Sequence, residues 1–229
     1  MEGVEDSVIE RFRKNLRSAC QSMGQVDMNA PVNAADRKLN ADEFFAVGEH
    51  FFLIEFKSAK HTLKSESVKQ SACTLCARLR TSTNFKALHD QAHFVAWGVK
   101  QRLSNLRCEM GVYRSLVCCR EVLASCDAVK DLSSEGQHHE AEGYLRKNIK
   151  SIGLTAENFS RYLRWLLMQP SDAIKDDKIG LKLFGYSYTD GIEEQTFLTY
   201  NDLFSWAAQA RAFQIQPRSP DNNSSDPSP

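Results

Sequence analysis

Ala41-Asp42-Glu43-Phe44-Phe45-Ala46-Val47-Gly48-Glu49-His50-Phe51-Phe52-Leu53-Ile54-Glu55-Phe56-Lys57 is the stretch from which the fold is read. Two runs rich in Phe, Val, Ile and Leu flank Gly48, a residue that tolerates the positive φ of a two-residue type II′ turn, so the pattern predicts a hairpin turning at Gly48 and Glu49. Val47 then faces His50, Phe45 faces Phe52, Phe44 faces Leu53, and Asp42 faces Glu55. Cross-strand neighbours lie roughly 4.5–5.5 Å apart at Cβ, and opposed like charges repel, so a cation belongs between the two acids. Lys57 lies two residues beyond Glu55 and shares its face, whereas Phe52, Ile54 and Phe56 point the other way and can pack on helices. Phe44, Phe51 and Leu53 share the charged face, which sets the charges against a buried surface.

An acidic pair beside an ammonium group suits a hard divalent cation. Mg²⁺ takes one or two carboxylates, waters and substrate phosphate oxygens, so Asp42 and Glu55 are the expected ligands, with the backbone carbonyl of Phe56 as a further one. Lys57 would orient a nucleophile or neutralise developing negative charge. The chemistry implied is phosphodiester hydrolysis, with Mn²⁺ able to substitute for Mg²⁺. One bulged residue would bring Glu43 opposite Glu55 instead, which makes Glu43 the reserve ligand. The competing reading is that Glu55 and Lys57 alternate on a solvated strand face.

The arrangement Asp42…Glu55-Phe56-Lys57 resembles the signature of the PD-(D/E)xK, or restriction-endonuclease-like, nuclease superfamily. The resemblance covers roughly residues 1–100 and implies an α/β fold, a mixed sheet flanked by helices, in the order helix, three antiparallel strands, helix, and a strand parallel to the motif strand. A helix over Glu5 to Met23, the hairpin, a second helix over Leu63 to Leu79 and a strand at His93-Phe94-Val95-Ala96-Trp97-Gly98 fit that order. Ala41 replaces the proline of the signature. No first strand is legible between Val26 and Leu39, where polar and apolar residues follow no steady period and Pro31 marks a loop. The resemblance also implies an acid from the first helix, for which Glu10 is the candidate, flanked by Ile9 and Phe12. Gln70 matches a glutamine of some recombination nucleases, but Thr74 stands where they carry an aromatic residue.

The 29 basic and 29 acidic residues balance, so the molecule as a whole has no bias toward polyanions. Their distribution is uneven, however, and Lys60, Lys64 and Lys69 follow the motif closely enough to neutralise nucleic-acid phosphates, DNA ahead of RNA. At 229 residues and 42% hydrophobic content the chain can bury a substantial core. Residues 1–100 are expected as the nuclease-like core and residues 101–215 as a mostly helical extension packed on it. That extension carries helices over Ser134 to Ile149 and Ala156 to Leu167. It also carries a second hairpin through Gly180 to Tyr188 and Gln195 to Tyr200, and a helix from near Asp202. Residues 216–229, rich in Pro, Ser, Asn and Asp, are expected to be disordered.

No stretch approaches a membrane span and no signal-peptide pattern opens the chain, so no membrane partner and a cytoplasmic location are expected. The odd count of seven cysteines reads as reduced thiols. Cys73-Thr74-Leu75-Cys76 lies in a helical pattern with no second pair at zinc-ligand spacing, which points to small buried residues. A non-enzymatic interaction module on a nuclease-like fold is the alternative, because a fold does not guarantee chemistry. Endonuclease or exonuclease action, sequence preference and oligomeric state have no signal in the sequence.

Overall fold

Val8, Phe12, Leu16 and Ala19 recur at the spacing of one helical face and are buried along α1 (Val4–Ser22). The surface that receives them is the even-numbered face of the motif strand. Phe12 meets Phe45 and Phe56 edge-on at ring-centroid distances of 5.1 and 5.5 Å, and Phe45 stacks on Phe52 at 5.4 Å. Burial of each such side chain contributes about 1.5–3 kcal/mol, so this aromatic layer is a main anchor of the helix. The computed structural model describes residues 4–24, 27–31, 39–48, 50–101, 106–167, 178–187, 191–199 and 202.

The chain is an α/β fold with a mixed open sheet flanked by helices. Strands β1 (Asp27–Pro31), β2 (Glu43–Val47) and β3 (His50–Lys57) form an antiparallel meander. A crossover then carries a 3₁₀ helix (Lys60–Val68), α2 (Gln70–Thr81) and α3 (Thr83–Ala92) before β4 (His93–Lys100), which pairs parallel to β3. β5 (Leu106–Val112) adds antiparallel to β4 and is followed by α4 (Tyr113–Val117). β6 (His139–Glu140) pairs with β5 and leads into α5 (Ala141–Asn148). The two-residue β7 (Leu154–Thr155) pairs with the start of β3 and leads into α6 (Ala156–Leu167). Residues 106–167 thus extend the same sheet and the same hydrophobic core.

The hairpin register is the one its sequence pattern predicts. Val47 pairs with His50, Phe45 with Phe52 and Phe44 with Leu53, and Gly48 takes a φ of +55°, the sign a primed turn needs. β3 is buried from Phe51 to Lys57, with α1 on one side of it. Phe159 of α6 packs on Phe44 and Phe51 on the other. Gly98 sets how closely α1 approaches the sheet, because a Cβ there would lie 2.8 Å from Cγ2 of Val8 and 3.0 Å from the carbonyl oxygen of Ser58.

Several expectations need correction. A first strand does form, at Asp27–Pro31, because it pairs along the free edge of β2 and does not depend on a pattern of its own; Pro31 sits at its last position, where a missing N–H is tolerated. The helix expected over Leu63 to Leu79 is broken at Lys69, whose φ of −87° and ψ of 108° separate the 3₁₀ helix from α2. Helix α3 has no counterpart among the elements expected from the sequence. The helix expected from Ser134 begins only at Ala141, where the Glu140 carboxylate caps it by accepting from the Gly143 N–H at 3.0 Å.

The cysteines also differ from expectation, since Cys73 bonds to Cys126 and Cys76 to Cys118 as disulfides, leaving Cys20, Cys108 and Cys119 as buried thiols. Folding brings together cysteines that are 53 and 42 residues apart, a relation no local spacing reveals. The second hairpin forms as β8 (Lys178–Ser187) and β9 (Gly191–Thr199), a separate two-stranded sheet whose first strand runs alongside β1. The turn at Thr189 and Asp190, the body of the helix expected after Asp202 and the tail 216–229 lie outside the described residues. Among the described residues no helix is long and apolar enough to cross a membrane.

Candidate active site

Alternation along β3 places Glu55 and Lys57 on the face turned away from α1, and the hairpin register brings Asp42 opposite Glu55. Asp42 stands one residue before β2, where its N–H donates to the Ile54 carbonyl at 2.9 Å and its Oδ2 accepts the Phe56 N–H at 2.5 Å. The carboxylate is therefore pinned to the motif strand by backbone, and it stays half-buried. Phe56 turns its ring into the aromatic layer under α1, so this residue meets the site through its backbone alone.

The break at Lys69 has a direct consequence for the site, because it turns the Lys69 ammonium inward. Lys57 and Lys69 both donate to Oε1 of Glu55, the latter at 2.5 Å. Both also pair with Oε1 of Glu66, at 2.8 and 3.0 Å. Glu66 comes from the 3₁₀ helix, is fully buried, and accepts the Tyr113 hydroxyl on Oε2 at 2.8 Å. Two lysines thus face three acids, Asp42, Glu55 and Glu66, in a pocket largely closed to water. The imbalance falls on Glu55, whose Oε2 is buried with no hydrogen-bond partner. Burial, then Asp42 and Glu66, push the Glu55 carboxyl up to about 8. Burial pushes Glu66 the same way, but Lys57 and Lys69 outweigh it and bring that carboxyl down to about 2. Burial opposes the charge on Lys57, yet Glu55 and Glu66 dominate and hold the ammonium well above the ordinary lysine range.

A second network supports the turn that presents Asp42. Asn40, in the left-handed region with φ of 51°, offers its carbonyl to Nε2 of His93 at 2.9 Å. A carbonyl can only accept, so Nε2 carries the proton and Nδ1 of His93 accepts from the Tyr162 hydroxyl at 2.8 Å. Tyr162 in turn accepts from Nδ1 of His89 at 2.7 Å. The Asn40 side chain accepts the Ser71 hydroxyl at 2.7 Å, tying the same turn to α2.

The expected reserve positions fall elsewhere. Glu43 points to the opposite face, is buried, and is held by Arg13 through Nε at 3.2 Å and through Nη2. Glu10 is exposed and pairs with the same Arg13 at 2.5 Å. The acid of α1 that does sense the site is Glu5, whose carboxyl is raised by partial burial and by Asp42 while Lys57 and Lys69 oppose the shift. Glu5 is exposed but lies on the side of the helix marked by Val8 and Phe12, and Glu10 lies on the far side; the helical period holds the distinction. Gln70 is exposed at the start of α2, and Lys64 is exposed on the 3₁₀ helix. Lys60 is exposed with its ammonium 5.7 Å from the ring centroid of Trp97. Of the three candidate phosphate-binding lysines, Lys69 alone is drawn into the acid cluster.

The donor set fits a hard cation. Asp42 and Glu55 offer carboxyl oxygens, and Oε2 of Glu55 is buried without a hydrogen-bond partner; with the Glu55 carboxyl pushed up to about 8, a cation bound there would take the place of its proton. Among the described residues no group of three or more His, Cys, Asp and Glu side chains forms a ready-made metal cage. A site completed by waters and substrate phosphate needs fewer protein ligands than that. The chain matches no family model, no curated protein and no solved structure.

Proposed function

We propose that the protein is a Mg²⁺-dependent nuclease of the PD-(D/E)xK type, acting on DNA ahead of RNA, with Mn²⁺ able to substitute. The observation that carries this reading is the convergence of Asp42, Glu55 and Lys57 on one face of the hairpin, beside an unsatisfied carboxylate oxygen. The order of helix, antiparallel meander, crossover helices and a strand parallel to β3 supports the restriction-endonuclease-like assignment. A cytoplasmic location goes with this reading.

Asp42 and Glu55 would hold the cation, with the Phe56 carbonyl as a further ligand and Glu5 as the acid contributed from α1. When bound, the metal would supply Lewis-acid stabilisation of the phosphate and a more acidic water. Lys57, kept protonated by its two acids, acts as a hydrogen-bond donor and fixed positive charge toward the scissile phosphate, not as a base. Glu66 and Tyr113 orient Lys57 from behind. His93 holds the Asn40 turn, and with it the approach of Asp42. Lys60 and Lys64 remain exposed to neutralise neighbouring phosphates.

Purified protein should cleave DNA with Mg²⁺ or Mn²⁺ and lose the activity as Glu55→Gln or Lys57→Ala while still folded; cleavage unchanged in either variant removes the assigned roles. The closed ion-pair arrangement of Lys57, Lys69, Glu55 and Glu66 favours a second reading, a non-catalytic module in which Lys69 permanently fills the cation position. Calorimetry with Mn²⁺ separates the two, since the second reading allows no binding that depends on Asp42 and Glu55.

A further inference from the structure

We propose that Cys73, Cys76, Cys118 and Cys126 form a four-thiolate zinc site that becomes available when the two disulfides are reduced. The sequence offers a C-x-x-C pair with no partner pair in sight; the fold supplies one. Cys73 and Cys76 sit one turn apart on α2, on the same face of the helix. Each reaches a different cysteine of the segment after α4, Cys126 and Cys118 respectively. Four sulfurs therefore meet in one patch between α2 and that segment, with Cys76, Cys118 and Cys126 buried.

Their proximity does not depend on the covalent links. Leu75 and Leu79 of α2 share the buried core with Leu123 and Val129. Arg80 donates to the Ala128 carbonyl at 2.5 Å and to both Asp131 oxygens at 2.8 and 3.1 Å. The Leu123 N–H donates to the Cys119 carbonyl at 2.9 Å and the Cys126 N–H to the Leu123 carbonyl at 3.0 Å, folding the chain back so that Cys118 and Cys126 face the same helix. Reduction thus leaves four thiols side by side in a poorly solvated patch, where a soft, tetrahedral cation is the species that stabilises them as thiolates. Cys119 is excluded, since its thiol donates to the Leu116 carbonyl at 3.5 Å. Among the described residues no group of three or more His, Cys, Asp and Glu is placed to hold an ion, and in this form the four sulfurs are bonded in pairs, so the site is conditional on reduction.

The chemistry balances through a dithiol reductant. Each disulfide accepts two electrons and two protons from it, and the reductant leaves as its own disulfide. Zinc binding then releases one proton to solvent from each thiol that becomes a thiolate ligand.

The test uses the full-length protein, reduced anaerobically with a trialkylphosphine and titrated with Co²⁺. The expected result is one equivalent of Co²⁺ with the charge-transfer and ligand-field absorption of a tetrahedral thiolate site, displaced by Zn²⁺. That signal should vanish in Cys76→Ser and Cys126→Ser and persist in Cys119→Ser and Glu55→Gln. Zn²⁺ should also shield Cys73, Cys76, Cys118 and Cys126 of the reduced wild type from alkylation, mapped by peptide mass, a readout independent of how the variants fold. Absence of the thiolate–cobalt absorption in reduced wild type, or shielding that maps to other cysteines, overturns the proposal. Because Glu55→Gln should keep this signal, the outcome is separate from that of the nuclease reading.

Discussion

Two buried polar clusters meet at Tyr113, whose hydroxyl donates to Glu66 and whose ring lies 4.8 Å from that of His93. The His89–Tyr162–His93–Asn40 chain is neutral, and its leftover atoms, Nε2 of His89 and Nδ2 of Asn40, are uncharged nitrogens. The Glu55–Lys57–Glu66–Lys69 cluster is built of ionisable groups, and its leftover atoms, Oε2 of Glu55 and Oε1 of Glu66, are carboxyl oxygens, the second within ion-pair distance of both lysines. An orphaned neutral group costs about 1–3 kcal/mol, and an uncompensated buried charge costs more. The neutral chain builds a rigid turn at little cost, whereas the charged cluster avoids a buried charge by pushing the Glu55 carboxyl up to about 8, so that it keeps a proton where the proposed cation would bind.

The largest effect that would sharpen this contrast is in Glu55→Gln. Mg²⁺-dependent cleavage should fall by roughly a thousandfold or more as a metal ligand is lost. The denaturation midpoint should hold or rise, because repulsion from Asp42 and Glu66 is removed. A variant both inactive and clearly destabilised would mean that Glu55 is structural. Lys57→Met should do the opposite to stability, leaving Glu66 short of a partner at a cost of about 3–5 kcal/mol, measured by urea unfolding.

The neutral chain has its own signature in pH. Burial, against the pull of the Asn40 carbonyl and Glu66, brings His93 from 6.5 down to about 4. The unfolded chain therefore takes up a proton near 6.5 while the folded protein resists until about 4. This contribution to stability is full above 6.5 and is lost as pH falls through that window, by up to roughly 3 kcal/mol. His93→Gln can still donate to Asn40 but does not titrate, so its unfolding free energy should fall less steeply with acid; an unchanged slope would assign the effect to other groups. The smallest effect belongs to Glu10→Ala, which should alter neither cleavage nor Mn²⁺ affinity and should shift stability by no more than about 0.5 kcal/mol. Glu5→Gln, in contrast, should weaken Mn²⁺ binding measurably by calorimetry.

What the sequence discloses about these clusters follows from how local each feature is. Gly48 and the alternation around it fix the partners of Phe44, Phe45 and Val47, and so the placement of Asp42 against Glu55. The apolar band of α6 is equally local, and Ala156–Leu167 follows from it directly. Glu66 escapes detection, and Lys69 reads as a phosphate-facing surface lysine, because both enter the site through a switch from 3₁₀ to α geometry at Lys69, and a helix read as continuous disperses them over its surface. Glu5 is legible from the helical period, since its alignment with Val8 and Phe12 matters more than the apolar residues beside Glu10. β1 and the cysteine pairs are set by partners distant in sequence, which no window along the chain contains.

Gly98 ties these observations to the positioning of the helix. Val8 rests in the gap left by that missing side chain and acts as a fulcrum, with Glu5 one turn before it in the first turn of α1. A bulkier residue at 98 would lift the fulcrum and swing Glu5 outward, changing the reach of an acid without touching any residue of the motif.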